Sequence, residues 1–287
     1  MRQLTAFLDL IKFEHTIFAL PFAYLGMALA ANGLPSFEQF FWITIAMAAA
    51  RTFGMSVNRL ADRHIDARNP RTAGRPLQTG RIRVSTVMAG LIASLIALTV
   101  AAWQLHPLTL ALLPGALVFL TGYAYTKRFT WLSHFVLGFT DGLAPMGAWA
   151  AIRGSLFSAH DAPAWLLLGT VTFWIAGFDL IYACQDAEFD RAEGLHSIPA
   201  RFGIPVALRL AQACHAVTVG LLALVGLTAG LGAPYWIALL VAAALLAYEH
   251  TLVKPNDLSR VNVAFFNVNG YVSVTLCAGV LAGLYIR

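Results

Sequence analysis

Charge is what this chain has least of. Only 11% of its 287 residues are Asp, Glu, Lys or Arg, against ~25% in a typical soluble domain. With 59% hydrophobic residues and a mean hydropathy of +0.71, a soluble globular protein is excluded and an integral membrane protein is expected. Cysteine is scarce too. Cys184, Cys214 and Cys277 each fall in an apolar run, so neither a disulfide framework nor a zinc cluster is implied. The alternating segments of about ten residues that mark a membrane β-barrel are missing. The first apolar stretch begins after Lys12, lacks a small-residue cleavage site and is followed by many more, so a cleavable signal peptide is not expected.

What is present is a series of continuous apolar segments of spanning length. Nine are expected, at roughly 14–32, 37–61, 84–104, 107–126, 131–152, 164–187, 205–230, 232–253 and 263–286. The fold class is therefore an all-α transmembrane bundle. The basic residues set its orientation. Arg2, Lys12, Arg63, Arg68, Arg71, Arg75, Arg81, Arg83, Lys127, Arg128, Arg191, Arg201, Arg209, Lys254 and Arg260 lie at the N-terminus or after even-numbered helices, and only Arg153 and Arg287 lie opposite. Basic loops stay inside, so the N-terminus is expected in the cytoplasm and the C-terminus outside the cell membrane. The net charge of +5 follows from this bias beside an anionic leaflet and gives no reason to expect nucleic-acid binding.

Against this background the acidic residues, only 14 in number, are conspicuously placed. Residues 58–77 read Asn-Arg-Leu-Ala-Asp-Arg-His-Ile-Asp-Ala-Arg-Asn-Pro-Arg-Thr-Ala-Gly-Arg-Pro-Leu. Asn58, Asp62 and Asp66 recur every four residues, which puts them within ~80° of one another on a helix. A second stretch carries Asp179, Asp186 and Asp190, within ~40° by the same arithmetic. Asp186 and Asp190 repeat Asp62 and Asp66 at a displacement of 124 residues (186−62 and 190−66). One domain of two pseudo-repeated halves, about 1–130 and 131–287, is expected, each half giving one acidic helix. Oxygen ligands of this kind suit Mg2+, which is commonly held by one or two carboxylates together with substrate phosphates. The neighbouring arginines, Arg71 and Arg75 above all, suit bidentate contacts to phosphate.

Other polar residues stand near the same membrane face. Residues 1–12 form an amphipathic segment expected at the interface. Lys12, Glu14 and His15 at the mouth of the first span are either interface anchors or lining of a cytoplasmic site. Arg51 precedes Asn58 by two turns, with only ~20° of drift. Its charge at mid-depth calls either for a bound anionic or carbonyl group or for a structural partner among the nearby acids. Tyr123 and Lys127 are one turn apart and can point to one place, although Tyr and Lys at a helix end are also ordinary anchors. Asp141 is a further buried acid. The stretch 67–83, punctuated by Asn69-Pro70, Gly74, Pro76 and Gly80, is expected as an ordered cytoplasmic loop. Glu249, His250, Lys254 and Asp257 cluster where the eighth span leaves the membrane, and the last two spans are expected to serve packing and lipid contact.

Taken together, Asn-x-x-x-Asp-x-x-x-Asp with Asn-Pro-Arg-Thr-x-x-Arg-Pro-Leu, then Tyr-x-x-x-Lys, then Asp…Asp-x-x-x-Asp with Gly-x-x-Ser-Ile-Pro, resemble the UbiA superfamily of membrane aromatic prenyltransferases. The opening Lys-Phe-Glu-His-Thr-Ile-Phe-Ala-Leu-Pro-Phe-Ala looks like the 4-hydroxybenzoate polyprenyltransferase-like branch, which includes members assigned to the futalosine route to menaquinone. One departure is Arg59, where many members have Asp. The resemblance implies a nine-helix bundle around a central cavity capped by cytoplasmic loops. It implies Mg2+ held by Asn58, Asp62, Asp66, Asp186 and Asp190, with a polyprenyl diphosphate donor contacted by Arg71, Lys127 and Arg75. Tyr123 would lie beside the donor, Asp179 would complete the second motif, and Arg51 would lie near the carboxylate of an aromatic acid acceptor, 4-hydroxybenzoate-like or a dihydroxynaphthoate. Lys12 is a further candidate substrate contact. Two other classes use membrane carboxylates. A CDP-alcohol phosphotransferase expects Asp-Gly-x-x-Ala-Arg leading into one acidic cluster, whereas Asp141-Gly-Leu-Ala is followed by Pro145. A cation transporter expects its acids near the bilayer midplane, whereas these lie at one membrane surface among arginines.

Overall fold

The computed structural model describes residues 2–12 and 16–286, so the expectations for Glu14, His15 and Arg287 lie outside the described residues. Helices dominate it, and the described residues contain no strand beyond an isolated bridge between Lys254 and Asp257. Eight helical stretches are long and apolar enough to cross a membrane. These are α3 (Phe37–Ala61), α5 (Val84–Leu105), α6 (Pro107–Thr126), α7 (Ser133–Arg153), the stretch Ala159–Ala192 that contains α8 (Ala162–Ala183), α11 (Ile204–Thr228), which follows the short helix α10 (Ile198–Phe202), α12 (Ala233–Leu252) and Val263–Tyr285, which contains α13 (Asn269–Tyr285). The first expected span appears as α2 (Thr16–Ala31), 16 described residues that reach ~24 Å. The protein is thus an all-helical integral membrane protein with eight described crossings of full length.

Local chemistry sets the helix ends. The Ser36 hydroxyl accepts from the Gln39 amide at 3.1 Å while the Gln39 side chain accepts from the Ser36 amide at 3.1 Å, a capping box that starts α3. Gly154 closes α7 at φ 64°, a left-handed conformation that a side chain would disfavour. The spans form a ring in which α3, α5, α6, α7, α8, α11, α12 and α13 pack in succession and α13 returns to α2, which also touches α3 and α7. Apolar burial does not drive helices together in lipid, so close backbone approach matters. A Cβ at Gly138 would stand 2.2 Å from the Thr172 carbonyl oxygen on α8, and one at Gly26 would stand 2.4 Å from the Pro145 carbonyl oxygen. Large apolar side chains such as Phe37, Trp103, Val118 and Leu240 are exposed, as befits an outer surface solvated by lipid.

The amphipathic N-terminal segment is α1 (Arg2–Leu10). It buries Ala6 and Leu10 against Ile82 and Val87 at the start of α5 and leaves Leu4 exposed. It thereby covers one edge of the membrane face that carries the acidic motifs.

Candidate active site

Each acidic motif departs from the continuous helix that its spacing predicts, and both do so in the same way. α3 stops at Ala61, Asp62 sits at φ −92°, ψ 4°, and the six-residue helix α4 (Arg63–Arg68) follows. α8 stops at Ala183, a 3-10 turn runs over Cys184–Asp186, Asp186 sits at φ −101°, ψ 4°, and the six-residue helix α9 (Ala187–Ala192) follows. The first aspartate of each pair is therefore the hinge of a bent helix end, and the second, Asp66 or Asp190, rides on the short helix.

Both bends face one cavity of about 730 Å3. Lys12, Arg51, Asn58, Asp62, Asp66, Arg71, Arg75, Tyr123, Lys127, Asp179, Asp186 and Asp190, the candidate metal and substrate contacts, all line it. Asp62, 2% exposed, accepts from Lys127 Nζ at 2.5 Å and Asn58 Nδ2 at 3.3 Å on Oδ2, and from Arg128 Nη2 at 3.1 Å on Oδ1. Asp66 Oδ2 accepts from Arg75 Nη1 at 2.5 Å. Asp186 accepts on Oδ1 from Asn69 Nδ2 and Arg71 Nε, each at 2.9 Å, and on Oδ2 from Arg71 Nη2. Burial alone would lower the Arg71 pKa, but the two-point bond to Asp186 outweighs it and holds the guanidinium above its ordinary value. Arg71, from the loop of the first motif, thus reaches across to the second.

The 67–83 loop is ordered as expected. Asn69 Oδ1 accepts from the Arg71 amide at 2.9 Å, and the Thr72 hydroxyl donates to the Asp66 carbonyl at 2.8 Å. Outside the cavity, Arg68 grips Glu193 with three hydrogen bonds of 2.6 to 3.0 Å, tying α4 to the end of α9. Lys12 bonds Asp9 at 3.1 Å, and Asp9 also meets Arg81 at 2.9 Å. Tyr123 and Lys127 point to different partners. The Tyr123 hydroxyl donates to the Gly54 carbonyl at 3.0 Å, whereas Lys127 goes to Asp62.

Deeper in the membrane, Arg51 and Asp141 line this cavity and also a second, apolar chamber of about 390 Å3 walled by α3, α5, α6 and α7. The two side chains bring opposite charges to the same space, a neighbour for Asp141 that the sequence does not show. Arg51 Nε is buried with no hydrogen-bond partner, a donor free for an anionic or carbonyl group.

Several residues that line the cavity or bond to its lining carry no sequence pattern that would reveal them. Arg128 shares Asp62 with Lys127. Arg59 donates to the Leu10 carbonyl at 3.1 Å and to Asn58 Oδ1 at 3.3 Å. His134 Nδ1 lies 2.7 Å from Asp179 Oδ2 while the Ile198 amide donates to its Nε2 at 3.4 Å, so the ring proton sits on Nδ1 and is shared with the carboxylate. The last span is also more than packing: Phe265, Phe266 and Asn269 line the cavity. Glu249, expected where α12 leaves the membrane, is fully buried in the bundle.

The donor set suits a hard divalent cation that is completed by a ligand. Four aspartates offer oxygen to one space, yet among the described residues no three His, Cys, Asp or Glu stand close enough to form a cage by themselves. Mg2+ is ordinarily held in this open manner, by one or two carboxylates plus phosphates.

Comparison with known proteins agrees with this geometry. The model of the UbiA prenyltransferase family matches residues 19–271. The chain is 33% identical over 260 residues to a 4-hydroxybenzoate octaprenyltransferase of Xanthomonas campestris pv. campestris (strain B100), covering 90% of this chain and 84% of that one. It is 34% identical over 258 residues to the enzyme of the same name from Aeromonas hydrophila, covering 88% and 86%. Among solved structures, the apo form of a UbiA homolog from Aeropyrum pernix K1 superimposes with a TM-score of 0.85 at 34% identity, over 94% of this chain and 98% of that one. A UbiA homolog from Archaeoglobus fulgidus bound to GPP and Mg2+ shares the fold, with a TM-score of 0.70 at 22% identity over 98% and 100%. A membrane bundle whose two acidic bends meet across one cavity, matched by a family model over most of its length, leaves one assignment: the chain belongs to the UbiA prenyltransferase family and is a membrane prenyltransferase.

Proposed function

We propose that the protein transfers a polyprenyl group from a polyprenyl diphosphate to an aromatic carboxylic acid, 4-hydroxybenzoate or a dihydroxynaphthoate, in ubiquinone or menaquinone synthesis, with Mg2+ as cofactor. The observation that carries this reading is the shared cavity: Asp62 and Asp66 from one bend and Asp186 and Asp190 from the other, interleaved with Lys127, Arg75 and Arg71. Neither other class of membrane protein weighed from the sequence has support. A transporter path would place its acids at mid-depth, and a CDP-alcohol transferase would need a single cluster. In our reading α2 is the ninth crossing, the chain is one domain of two pseudo-repeated halves, and both bends and the N-terminus face the cytoplasm from a cell membrane.

Asn58, Asp62, Asp66, Asp186 and Asp190 are the metal-binding set. When bound, Mg2+ neutralises the diphosphate so that it can leave. Arg71, Arg75 and Lys127 then exchange their carboxylates for phosphate oxygens, the charge-assisted contacts that stabilise a leaving group as its charge grows. Tyr123 and Lys12 line the donor's approach, and Asp179, held by His134, completes the second bend. Arg51 holds the acceptor's carboxylate at the waist between the two cavities. The C–O bond breaks with its electron pair leaving on diphosphate, and apolar walls keep water from the allylic cation until the aromatic ring attacks it to form the C–C bond; the ring proton then passes to the released diphosphate or a nearby base. The support for 4-hydroxybenzoate is the activity named for the bacterial relatives at 33–34% identity.

Membranes containing the protein, incubated with labelled prenyl diphosphates of several lengths and a panel of aromatic acids, test this by mass spectrometry of the lipid extract. A Mg2+-dependent prenylated aromatic acid is expected. Transfer to a non-aromatic acceptor alone would contradict it.

A further inference from the structure

Glu249, on α12, takes no part in the chemistry described so far. It is 0% exposed, and a carboxylate buried in a membrane bundle is costly enough to call for a function. Its Oε1 accepts from Asn269 Nδ2 at 3.0 Å. The same amide nitrogen lies 3.1 Å from the Ala264 carbonyl and 3.2 Å from the Phe265 carbonyl, while Asn269 Oδ1 accepts from Trp174 Nε1 at 2.7 Å. Both edges of the Asn269 amide are therefore engaged, and through them α12, α8 and the start of the last span are held together. His215 flanks the acid from α11, with Nδ1 3.8 Å from Glu249 Oε2 and 3.0 Å from His250 Nε2.

The carbonyls that Asn269 meets belong to a π-helical turn over Val263–Val268. Such a turn takes about one extra residue, which rotates the residues before it by ~100° relative to a plain α-helix. That rotation decides which side chains face inward, and Phe265 and Phe266 line the polar cavity with Trp174. Phe265 lies 4.3 Å from the Tyr182 ring and 5.0 Å from the Phe178 ring, centroid to centroid. The Tyr182 hydroxyl accepts from Arg71 Nη1 at 2.9 Å, and Arg71 grips Asp186. The aromatic wall therefore stands directly beside the second acidic bend.

We propose that Glu249 is a positioning residue: through Asn269 it locks the π turn that sets Phe265, with Trp174, as an aromatic wall against the allylic carbons of the prenyl donor. This rests on the prenyl-transfer reading. As the donor's C–O bond breaks, the electron pair leaves with diphosphate and positive charge spreads over those carbons. A ring face near them attracts that charge without competing for the bond to be formed. The wall acts on the transition state and hardly on the diphosphate head, so its loss lowers kcat and spares head-group binding.

The test uses the full chain in lipid nanodiscs with geranyl diphosphate, Mg2+ and 4-hydroxybenzoate, and inorganic pyrophosphate as competitive inhibitor. Phe265→Leu should lower kcat about tenfold, with Phe265→Tyr restoring most of it, because the ring face is what counts. Glu249→Leu and Asn269→Ala should lower kcat by a similar factor, and the double variant should be no worse than either, as for residues acting through one contact. Glu249→Gln keeps an oxygen for Asn269 and should stay within about threefold of wild type. The inhibition constant of pyrophosphate should stay within about twofold throughout. Wild-type kcat in Phe265→Leu would overturn the proposal, as would a parallel loss of kcat and pyrophosphate binding in Glu249→Leu. If Glu249→Leu does not accumulate, the Phe265 pair and Glu249→Gln decide the matter. A wild-type protein that transfers no prenyl group overturns the proposed function itself, whereas an active wild type with unaffected variants overturns only the positioning role.

Discussion

Arg71 and Asp186 lie 115 positions apart and form a two-point ion pair, Nε and Nη2 of the guanidinium meeting Oδ1 and Oδ2 of the carboxylate. Lys127 and Asp62, 65 positions apart, meet at 2.5 Å on the other side of the cavity. These bonds do two things. They keep both acidic bends directed into one space, and they hold in place the cations that a diphosphate would require. In the proposed reading a phosphate ligand displaces carboxylates already paired, so that its binding and the rearrangement of these pairs would be one event.

Removing either hinge acid should abolish turnover. Asp62→Ala or Asp186→Ala should reduce prenyl transfer by at least about a thousandfold and eliminate Mg2+-dependent diphosphate binding, measured by product formation and by titration with pyrophosphate. Near-normal product from either variant would remove the metal assignment. Asp62→Ala should also be the less stable of the two, because it strands both Lys127 and Arg128 in a partly buried site.

Arg71 should not be replaceable by lysine. An ammonium keeps the charge but loses the fork that spans both oxygens of Asp186, so Arg71→Lys should lower kcat/KM by roughly tenfold or more, the equivalent of one charged hydrogen bond. Initial rates at varied donor concentration check this, and a wild-type rate in the lysine variant would reduce the pair to simple charge balance.

The two substrates should separate at Arg51. In Arg51→Ala the acceptor's KM should rise about tenfold or more while the donor's KM changes little, because the loss is confined to uniform binding of one carboxylate. Equal effects on both substrates would place Arg51 in the donor site instead.

By contrast, the Arg68–Glu193 pair lies at the exposed surface. The guanidinium holds the Glu193 carboxyl below its ordinary value, so whatever the pair adds to stability is present at neutral pH and fades as pH falls through that lowered value. Arg68→Gln or Glu193→Gln should leave kcat within about twofold, because exposed ion pairs add little. A larger loss would mean that the α4–α9 tie helps to shape the cavity.

Much of this molecule is legible in the residues alone. Continuous apolar runs mark the spans because hydrogen-bonded helices are what lipid tolerates, and the four aspartates of the two bends are conspicuous because acids are otherwise rare. The helix breaks at Asp62 and Asp186 are not legible, since the fourfold spacing runs straight through them and the bonds that hold the bends, to Lys127, Arg128, Asn69 and Arg71, are tertiary. His134 with Asp179, and Glu249 with Asn269, join residues 45 and 20 apart, and no local period links such partners. Arg128 is masked by Lys127 beside it: two cations at a helix end look like one interface anchor.

The central claim is that both acidic bends grip a single metal diphosphate. A structure of the protein with Mn2+ replacing Mg2+ and a non-hydrolysable prenyl thiodiphosphate, with the metal located by its anomalous signal, tests this most directly. The account predicts metal density between the Asp62–Asp66 bend and the Asp186–Asp190 bend, with diphosphate oxygens on Arg71 and Lys127. Metal confined to one bend, or a diphosphate lying outside the cavity between them, would contradict it.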